Sequence, residues 1–466
     1  MTRSSASAFH ASILSAALLS WMAAAAAVLL ASCSAQPPAE DPAAAAPSMD
    51  AIAESYVRLV LDLGLHDGDY VDAYYGPQEW RPAPESAPRP VAEIRGDAEA
   101  LIAALEDLRA ASGVEDEPSE IESLRWTYLT RQLQSLTVRA RMLEGEALDF
   151  DEESRGLYDA VAPRREREYF AAALERMDRR LEAEGLSEGS VIERLEAFRE
   201  RFVIPADKVD SVFRTAIEAC RERTLERLEL PAEESFEVEY VSGKSWSAYN
   251  WYQGGYRSLI QVNLDLPIRI ERAVDLACHE GYPGHHVYNA LLEKHLVRDR
   301  GWVEGSVYAL FSPQSLIAEG SANYGIDMVF SEEERRAYER KVLFPLAGLD
   351  ASKADAYHEI LELQRQLDYA GNEAARGYLD GELSAEEATE YLVAYAGMGQ
   401  ARAEQRLRFI DQYRSYVINY NLGRDLVGAY VDRLGGDDPD ARWRVFGQLL
   451  SSPRLPSSLV EEPTAP

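Results

Sequence analysis

The stretch His279-Glu280-Gly281-Tyr282-Pro283-Gly284-His285-His286 is the most informative part of this chain. It holds three of the chain's seven histidines, and a glutamate follows the first of them directly. Neutral imidazole is a preferred zinc ligand, and a carboxylate beside a zinc-bound water is the usual general base of a metal-dependent hydrolase. The residue types therefore predict a zinc site in which Glu280 is the base.

The spacing differs from the helical pattern H-E-x-x-H, which places two histidines one turn apart on one face. Here the position one turn after His279 is Pro283, which cannot bind a metal ion. The Pro-Gly pair must bend or bulge the helix, and we expect this interruption to bring His285 or His286 back toward His279. His285 is favoured because it needs the shorter insertion. His286 stays open as the second ligand or as a hydrogen-bond donor behind the site.

A carboxylate is expected as the third ligand, because two histidines and one carboxylate leave a tetrahedral zinc ion one open position for water. The best candidate is Glu319, on a helix predicted to begin near Pro313. Asp275 lies one turn before His279 and is a candidate acceptor for its second ring N–H. We therefore expect one zinc ion per chain.

Two motifs resemble those of a bacterial family of domain-of-unknown-function proteins that is regarded as zinc-peptidase-like and often includes lipoproteins. The first family motif, H-E-x-x-P-G-H-H, is matched fully at residues 279–286. The second, E-G-W-A-x-Y, is matched at Glu319, Gly320, Ala322 and Tyr324. Ser321 replaces its tryptophan. The resemblance spans roughly residues 50–450, and it implies that the motif histidines and Glu319 surround the metal, with Glu280 as the base.

The third motif of that family, P-G-Q-A-x-x-Y-x-x-G, is largely absent. In residues 414–423, only Tyr420 and Gly423 fit it. If this segment contacts substrate, its specificity has diverged from the family. Tyr416, Tyr420 and Arg424 are candidate hydrogen-bond donors to an oxyanion or a carboxylate. Ordinary helix packing is the alternative for them and is slightly favoured.

The rest of the chain predicts a mainly α-helical fold. Apolar residues recur at three- and four-residue steps in 121–136 and 191–202, which is typical of amphipathic helices in a bundle. Residues 236–241 and 258–263 are candidate strands. The aromatic residues of 246–256 belong to the core or to a substrate cleft. We expect a large helical, gluzincin-like metallopeptidase-type bundle with a small antiparallel β-sheet beside the active-site helix. An extended substrate could pair with strand 258–263.

The N-terminal segment predicts export and lipidation. An apolar run ends in Leu30-Ala31-Ser32-Cys33, which is typical of a bacterial lipoprotein signal with Cys33 lipidated. An uncleaved anchor or an ordinary signal peptide is the alternative. Ser34 favours the outer membrane, facing the periplasm, by resemblance to Gram-negative lipoproteins. The predicted organisation is a signal peptide (1–33), a Pro/Ala-rich tether (34–48), a helical zinc-hydrolase-like domain (49–450, with a helical N-terminal part at 49–230 and a catalytic part at 235–450) and a flexible tail (451–466).

Charge and cysteines limit the partners. The net charge of −32 argues against nucleic acid and anionic lipid, so we expect membrane contact only through lipidated Cys33. Cys220 and Cys278 could pair in an oxidising compartment if their Cα atoms lie within about 7 Å. A buried free thiol is the favoured interpretation for each.

These observations favour a zinc-dependent, peptidase-like hydrolase that acts on peptides in the cell envelope. Two alternatives stay open. One is a non-catalytic, metal-binding envelope lipoprotein, against which the intact Glu280 speaks, because a structural zinc site needs no base. The other is a metallohydrolase of a non-peptide amide or ester.

Overall fold

Helices form the first part of the chain, as the spacing of its apolar residues predicts. The structure is a computed structural model that describes residues 47–83, 86–111 and 119–460. Ser48 caps the first helix by accepting a hydrogen bond from the amide of Ala51. The helices of this part are α1 (Met49–Leu63), α2 (Val91–Ala111), α3 (Glu120–Leu143), α4 (Phe150–Tyr158), α5 (Arg167–Ala183), α6 (Val191–Arg199) and α7 (Val209–Leu225).

Short strands lie before and beside the site. The strands are β1 (Val71–Tyr74), β2 (Ser235–Val241), β3 (Ala248–Gly254), β4 (Arg257–Asn263) and β5 (Val307–Ala309). One sheet has the order β2-β4-β3, with β3 antiparallel to β4 and β2 parallel to it. The two strands that the sequence predicts, 236–241 and 258–263, therefore pair in parallel, and the antiparallel pairing is made with β3. Because β4 is the central strand, the predicted pairing of 258–263 with a substrate is wrong. Only the outer edge of β3 or β2 is left for such pairing in this sheet.

The second half of the chain is again helical. Its helices are α8 (Glu271–Leu276), α9 (His285–Leu292), α10 (Pro313–Val329), α11 (Glu332–Tyr338), α12 (Phe344–Ala347), α13 (Ala354–Arg365), α14 (Ala370–Leu379), α15 (Ala385–Ala396), α16 (Gln400–Tyr413), α17 (Ile418–Gly435), α18 (Pro439–Leu450) and α19 (Pro456–Val460). Helix α10 is buried along most of its length. The predicted mainly α-helical class with a small sheet is confirmed.

The division into an N-terminal and a catalytic part does not separate the structure. Strand β1 pairs antiparallel with β5, and the register places Ala73 opposite Tyr308. The described residues belong to one compact unit. A strand from the predicted N-terminal part therefore forms part of the framework of the site.

The ends of the chain are described only in part. The predicted signal peptide, Cys33 and the tether up to residue 46 lie outside the described residues. Within the described part of the chain, no helix combines the length and the apolar character needed to cross a membrane. Residues 451–460, which were expected in a flexible tail, pack against the domain instead. Leu455 and Leu459 are buried, and Arg433 donates a hydrogen bond to the carbonyl of Leu459 at 2.8 Å.

Candidate metal centre

The helix that carries His279 is interrupted just after it. A wide π-turn follows α8, the Tyr282–Pro283 peptide bond is cis, and the amide of Gly284 donates to the carbonyl of Cys278 at 2.9 Å. A Cβ atom at Gly284 would overlap the carbonyl oxygen of His279, so the chain can fold back this closely only at a glycine. Helix α9 then begins at His285. The interruption brings His285 beside His279, as the spacing predicts.

Three of the predicted ligands lie together. The Nε2 atoms of His279 and His285 are 3.2 Å apart. The Oε2 atom of Glu319 lies 3.2 Å from Nε2 of His279 and 3.7 Å from Nε2 of His285. All three ligand atoms lie within 4.8 Å of one another. His285 and Glu319 are more than thirty residues apart in the chain. The packing of α10 against the interrupted helix brings them together.

These distances fit a zinc ion. Zinc–ligand bonds of about 2.1 Å in a tetrahedron place the ligand atoms roughly 3.4 Å from one another. The Oε2 atom of Glu319 is buried and has no hydrogen-bond partner among the described residues, which is costly unless a cation satisfies it. His279, His285 and Glu319 therefore provide a suitable three-ligand set with one position left open.

His279 is oriented by Asn323, one turn after Glu319 on α10. The side-chain amide of Asn323 donates to the carbonyl of Tyr420 at 3.0 Å, so its Oδ1 is left to accept, and it lies 3.1 Å from Nδ1 of His279. The proton of the neutral ring then sits on Nδ1, and the lone pair of Nε2 faces the cluster.

The prediction that Asp275 accepts from His279 is wrong. Asp275 forms an ion pair with Arg335 at 2.7 Å and a longer one with Arg272 at 3.6 Å. These guanidinium groups, on α11 and α8, satisfy the carboxylate away from the ring. Asn323 was missed although it occupies the variable position of the second motif, where the four-residue spacing from Glu319 was the available signal.

His286 turns away from the cluster. Its ring contacts Oε2 of Glu234 through Nε2 and Oγ of Ser258 through Nδ1, both at 2.9 Å. Consecutive residues of an α-helix point about 100° apart, so His285 and His286 cannot face the same point. His286 is fully buried and connects the helix to the sheet behind it. The structure does not place it as a metal ligand.

Tyr416 supports Glu319 instead of facing a substrate oxyanion. Its hydroxyl donates to Oε1 of Glu319 at 2.8 Å, which corrects the predicted role. Tyr420 is half-buried and lines the cavity described below, so its predicted role as a donor is compatible with its position. Arg424 forms an ion pair with Asp327 at 2.6 Å.

Helix α17, which carries Tyr420, crosses α10 beside Glu319. Gly423 of α17 packs directly on Gly320 of α10. A Cβ atom at Gly423 would lie 2.6 Å from the carbonyl oxygen of Leu316 and 2.9 Å from Cα of Gly320. The glycines of the second and third motifs therefore meet, and their contact sets the depth of Glu319.

The general-base candidate Glu280 lies at the same cavity as the cluster. It is only 4% exposed, and its main-chain carbonyl accepts a hydrogen bond from Nδ2 of Asn250 at 2.7 Å. Strand β3 thus holds the backbone at the point where the helix widens. The carboxylate contributes to the charge around His285.

Asp72 is a further acid at the site, which the sequence did not reveal. It lies on β1 and accepts a hydrogen bond from the hydroxyl of Tyr249. Burial raises the pKa of Asp72 to about 6, assisted by the charges of Glu319 and Glu280, while Tyr249 and His285 act in the opposite direction. Its distance along the chain from both motifs left no local signal.

The acids around the cluster favour positive charge in it. Burial alone would lower the pKa of His285, but Glu319, Glu280 and Asp72 together raise it to about 9. Burial would raise the pKa of Glu319, whereas His285 and His279 hold it well below its usual range. The centre is therefore electrostatically suited to a cation.

The cluster opens into a large cavity of about 940 Å³. Trp246 and Tyr249 line it, beside the cluster residues. Tyr252, by contrast, is buried and donates to Oε2 of Glu293 at 2.6 Å. The aromatic segment 246–256 is thus divided between the cavity wall and the core.

A disulfide joins the site helix to α7. Cys220 pairs with Cys278, and their Cα atoms are 5.8 Å apart. The interpretation of both as free thiols is therefore wrong, because α7 packs beside the π-turn and brings the two residues within bonding range. The bond lies directly before His279 in the chain.

Comparisons with known proteins give structural likenesses only. No protein-family model and no curated protein matches the chain. One similar solved structure is described as a "putative lipoprotein from Colwellia psychrerythraea" (16% identity, TM-score 0.45, covering 80% of this chain and 70% of that chain). Another is a "putative lipoprotein of unknown function from Shewanella oneidensis" (14%, 0.40, 77% and 72%). A third is described as "CHT" (11%, 0.39, 86% and 89%). At these TM-scores the likenesses carry no argument about the activity of this chain.

Proposed function

We propose that this protein is a zinc-dependent, peptidase-like hydrolase of the cell envelope. The observation that carries the proposal is the convergence of His279, His285 and Glu319, with Glu280 at the same cavity. Two imidazoles and one carboxylate, with a carboxylic base next to the first histidine, form the ligand set of hydrolytic zinc sites. A purely structural zinc site would have four protein ligands and no need of Glu280.

The residues of the site have distinct tasks in this proposal. A bound zinc ion would acidify a water molecule and polarise the scissile carbonyl. Glu280 accepts a proton from the attacking water and passes it to the leaving amine. Asn323 holds His279 in the tautomer that presents Nε2, and Tyr416 fixes Glu319. Tyr420 is the candidate donor to the oxygen that becomes negative.

The size of the cavity and the edge strand that lines it suit a peptide. Its volume of about 940 Å³ lies near the upper end of the range for small-molecule pockets, roughly 300–1,000 Å³. Ala248 and Asn250 of β3 line it, and β3 is an edge strand. An extended peptide could therefore add to that edge through main-chain hydrogen bonds. An amide or ester outside peptides is the alternative substrate.

The envelope location is part of the proposal. The Cys220–Cys278 disulfide is typical of an oxidising compartment such as the periplasm. The lipoprotein signal ending at Cys33 would anchor the domain to a membrane, with the outer membrane favoured by Ser34. Globomycin treatment of a producing Gram-negative cell should leave an unprocessed precursor, and Cys33→Ser should release the protein from the membrane fraction.

The decisive test is the metal content and activity of the soluble form, residues 49–466. We expect about one zinc ion per chain in the wild type and in Glu280→Gln, and loss of the metal in His279→Ala. In a peptide-library digest, Glu280→Gln should lose at least about 99% of the activity while it keeps its metal. No metal in the wild type after zinc addition would refute the proposal. Metal without hydrolysis of any peptide would favour a binding lipoprotein.

A further inference from the structure

The cavity extends from the metal cluster to a group of arginines on α16. Arg402 and Arg406 are one helical turn apart and both line it. Neither forms an ion pair with an acid in the described chain. Arg402 donates from Nη1 to Oε1 of Gln405 at 2.7 Å, and Nε of Arg406 has no hydrogen-bond partner among the described residues. Two guanidinium groups therefore face the cavity without a fixed counterion.

This arrangement is unusual for so acidic a chain. The protein has 80 Asp and Glu residues against 48 Lys and Arg residues, so acids were abundant as partners. Elsewhere in the same cavity Arg199 and Arg269 form ion pairs with Glu196, the latter at 2.8 Å. The absence of such pairing at Arg402 and Arg406 is a local feature of this wall of the cavity.

The charges near Arg402 repel it. Its side chain is open to the cavity, yet the surrounding protein and the nearby guanidinium groups of Arg272, Arg406, Arg199 and Arg269 lower its pKa to about 9. Arg199, Arg269 and Arg272 each have an acid beside them, whereas Arg402 and Arg406 form no ion pair among the described residues, so an anion in the cavity would stabilise these two charges. A cavity wall of this kind is a preformed site for an anionic group.

Among the described residues, no acid is fixed against either arginine. Asp368 contributes a charge near Arg406, but no hydrogen bond joins the two side chains. Asp368 is itself exposed to solvent and lines the cavity. It is therefore not a fixed counterion of the two arginines.

The arginines and the metal cluster are connected by two tyrosine rings. The guanidinium carbon of Arg406 lies 5.9 Å from the centre of the Tyr420 ring. Tyr420 packs edge-on against Tyr416, with ring centres 5.8 Å apart, and Tyr416 donates to Glu319. A few extended residues, at about 3.3–3.6 Å each, would span this path.

We propose that Arg402 and Arg406 bind a carboxylate of the substrate while the scissile bond lies at the metal cluster. This inference rests on the proposed hydrolase function and adds the class of substrate. Guanidinium groups match carboxylates through paired, charge-assisted hydrogen bonds. The carboxylate that every linear peptide offers is its C-terminal one, and an acidic side chain is the other source. In the first case the protein removes a short C-terminal fragment.

The reaction balances as ordinary hydrolysis. The water oxygen bonds to the carbonyl carbon and the C–N bond breaks. Both protons of the water end on the amine nitrogen, so the products are a carboxylate and an ammonium group. The carboxylate at the arginines does not react, and where it is the C-terminal one it leaves with the amine product. Arg402 and Arg406 are thus specificity-determining residues, and their loss should raise KM more than it lowers kcat.

The test measures binding and hydrolysis separately. Zinc-loaded Glu280→Gln protein is titrated into short fluorescein-labelled peptides, with either a free or an amidated C-terminus and with either Glu or Gln at each internal position. We expect the favoured carboxylate to strengthen binding roughly ten- to hundredfold, as lost charged hydrogen bonds cost 1.5–3 kcal/mol. Adding Arg402→Gln or Arg406→Gln should remove that preference. Arg408→Gln is the matched control, because Arg408 is exposed on the same helix and does not line the cavity.

The outcomes separate this inference from the proposed function. If peptides with a free C-terminus bind more tightly than amidated ones, the arginines bind the C-terminal carboxylate. If peptides with an internal Glu bind more tightly than those with Gln, the arginines bind an acidic side chain. Equal affinity for charged and neutral peptides, or a preference that survives Arg402→Gln and Arg406→Gln, overturns the inference, as does the absence of binding. Wild-type protein that cuts charged and neutral peptides equally keeps the hydrolase proposal and removes the arginine site. If the protein binds charged peptides selectively but hydrolyses none of them, the arginine site stands and the hydrolase proposal fails.

Discussion

A methyl group at Gly423 would enter the close contact between α17 and α10. The added Cβ atom of Gly423→Ala would lie 2.6 Å from the carbonyl oxygen of Leu316 and 2.9 Å from Cα of Gly320. Both neighbours are backbone atoms of α10, so no side-chain rotation can relieve the overlap. The helices must separate by several tenths of an ångström, and Glu319 would move with α10.

The expected cost follows from overpacking. Forcing an extra methyl into a packed interior destabilises a protein by about 1–3 kcal/mol, while Ala in place of Gly in a helix returns about 0.5–1 kcal/mol. We expect a net loss of about 1–2 kcal/mol in the free energy of unfolding. Because Glu319 is displaced, zinc affinity should fall at least about tenfold, as it does when supporting residues of metal sites are lost.

The matched control is Gly96→Ala on α2. A Cβ atom at Gly96 meets no atom within 4 Å, and the residue is exposed, so the same substitution should stabilise the protein by up to about 1 kcal/mol. Urea unfolding gives the stability and competition with a chromogenic chelator gives the zinc affinity. Gly423→Ala protein with wild-type stability and wild-type zinc affinity would refute the role assigned to this crossing.

Four further predictions concern the surroundings of the cluster. Asn323→Ala should lower zinc affinity about ten- to hundredfold with little loss of stability, measured by chelator competition. Zinc binding must displace the proton of His285, whose pKa is raised to about 9, so zinc affinity should rise about tenfold per pH unit below that pH and level off above it. The pKa of Glu234 is about 2 in the folded protein, because His286, Tyr282 and Arg221 outweigh its burial. Its stabilising contribution, up to about 3 kcal/mol, is then complete above pH 4.5 and lost as the pH falls through 2, so Glu234→Gln should abolish that part of the pH dependence of urea unfolding. Reducing the Cys220–Cys278 disulfide, which spans 58 residues, should cost about 4 kcal/mol in the same assay.

Each of these predictions has an opposing result. Unchanged zinc affinity in Asn323→Ala would mean that the ring of His279 is held by packing alone. A zinc affinity independent of pH between 6 and 9 would contradict the raised pKa of His285. Equal acid sensitivity of wild type and Glu234→Gln would mean that another group controls unfolding in this range. Full stability after reduction would show that the disulfide adds nothing to the packing of α7.

Short-range chemistry was predictable from the sequence. The eight residues from His279 to His286 contain the candidate ligands, the candidate base and the helix-breaking Pro-Gly pair, all within about two turns of chain. The preference for His285 over His286 as the second candidate ligand followed from the same local geometry. Periodic apolar residues likewise predicted the helices, because helix formation depends on side chains three and four positions apart.

Long-range partners were not predictable in the same way. Asn323, and not Asp275, contacts the ring of His279. Asp72 of β1 lies near the cluster, and Cys220 forms a disulfide with Cys278. Whether Asp275 or Asn323 accepts from His279 depends on which other charged groups lie beside them. Asp275 forms an ion pair with Arg335 of α11 and is therefore not available to the histidine. No local pattern records such competition between elements that are distant along the chain.

The chain by itself therefore indicated the candidate ligands that the structure brings together and determined which segments are helical, since both depend on neighbours within a few positions. Only the tertiary structure decided what surrounds them. Three features arise from the packing of distant segments: the central position of β4, the glycine contact between α10 and α17, and the position of Arg402 and Arg406 at the cavity without an ion pair among the described residues. Packing is set by the sum of many weak contacts over the whole domain, and it assigns partners that residue type and spacing leave open.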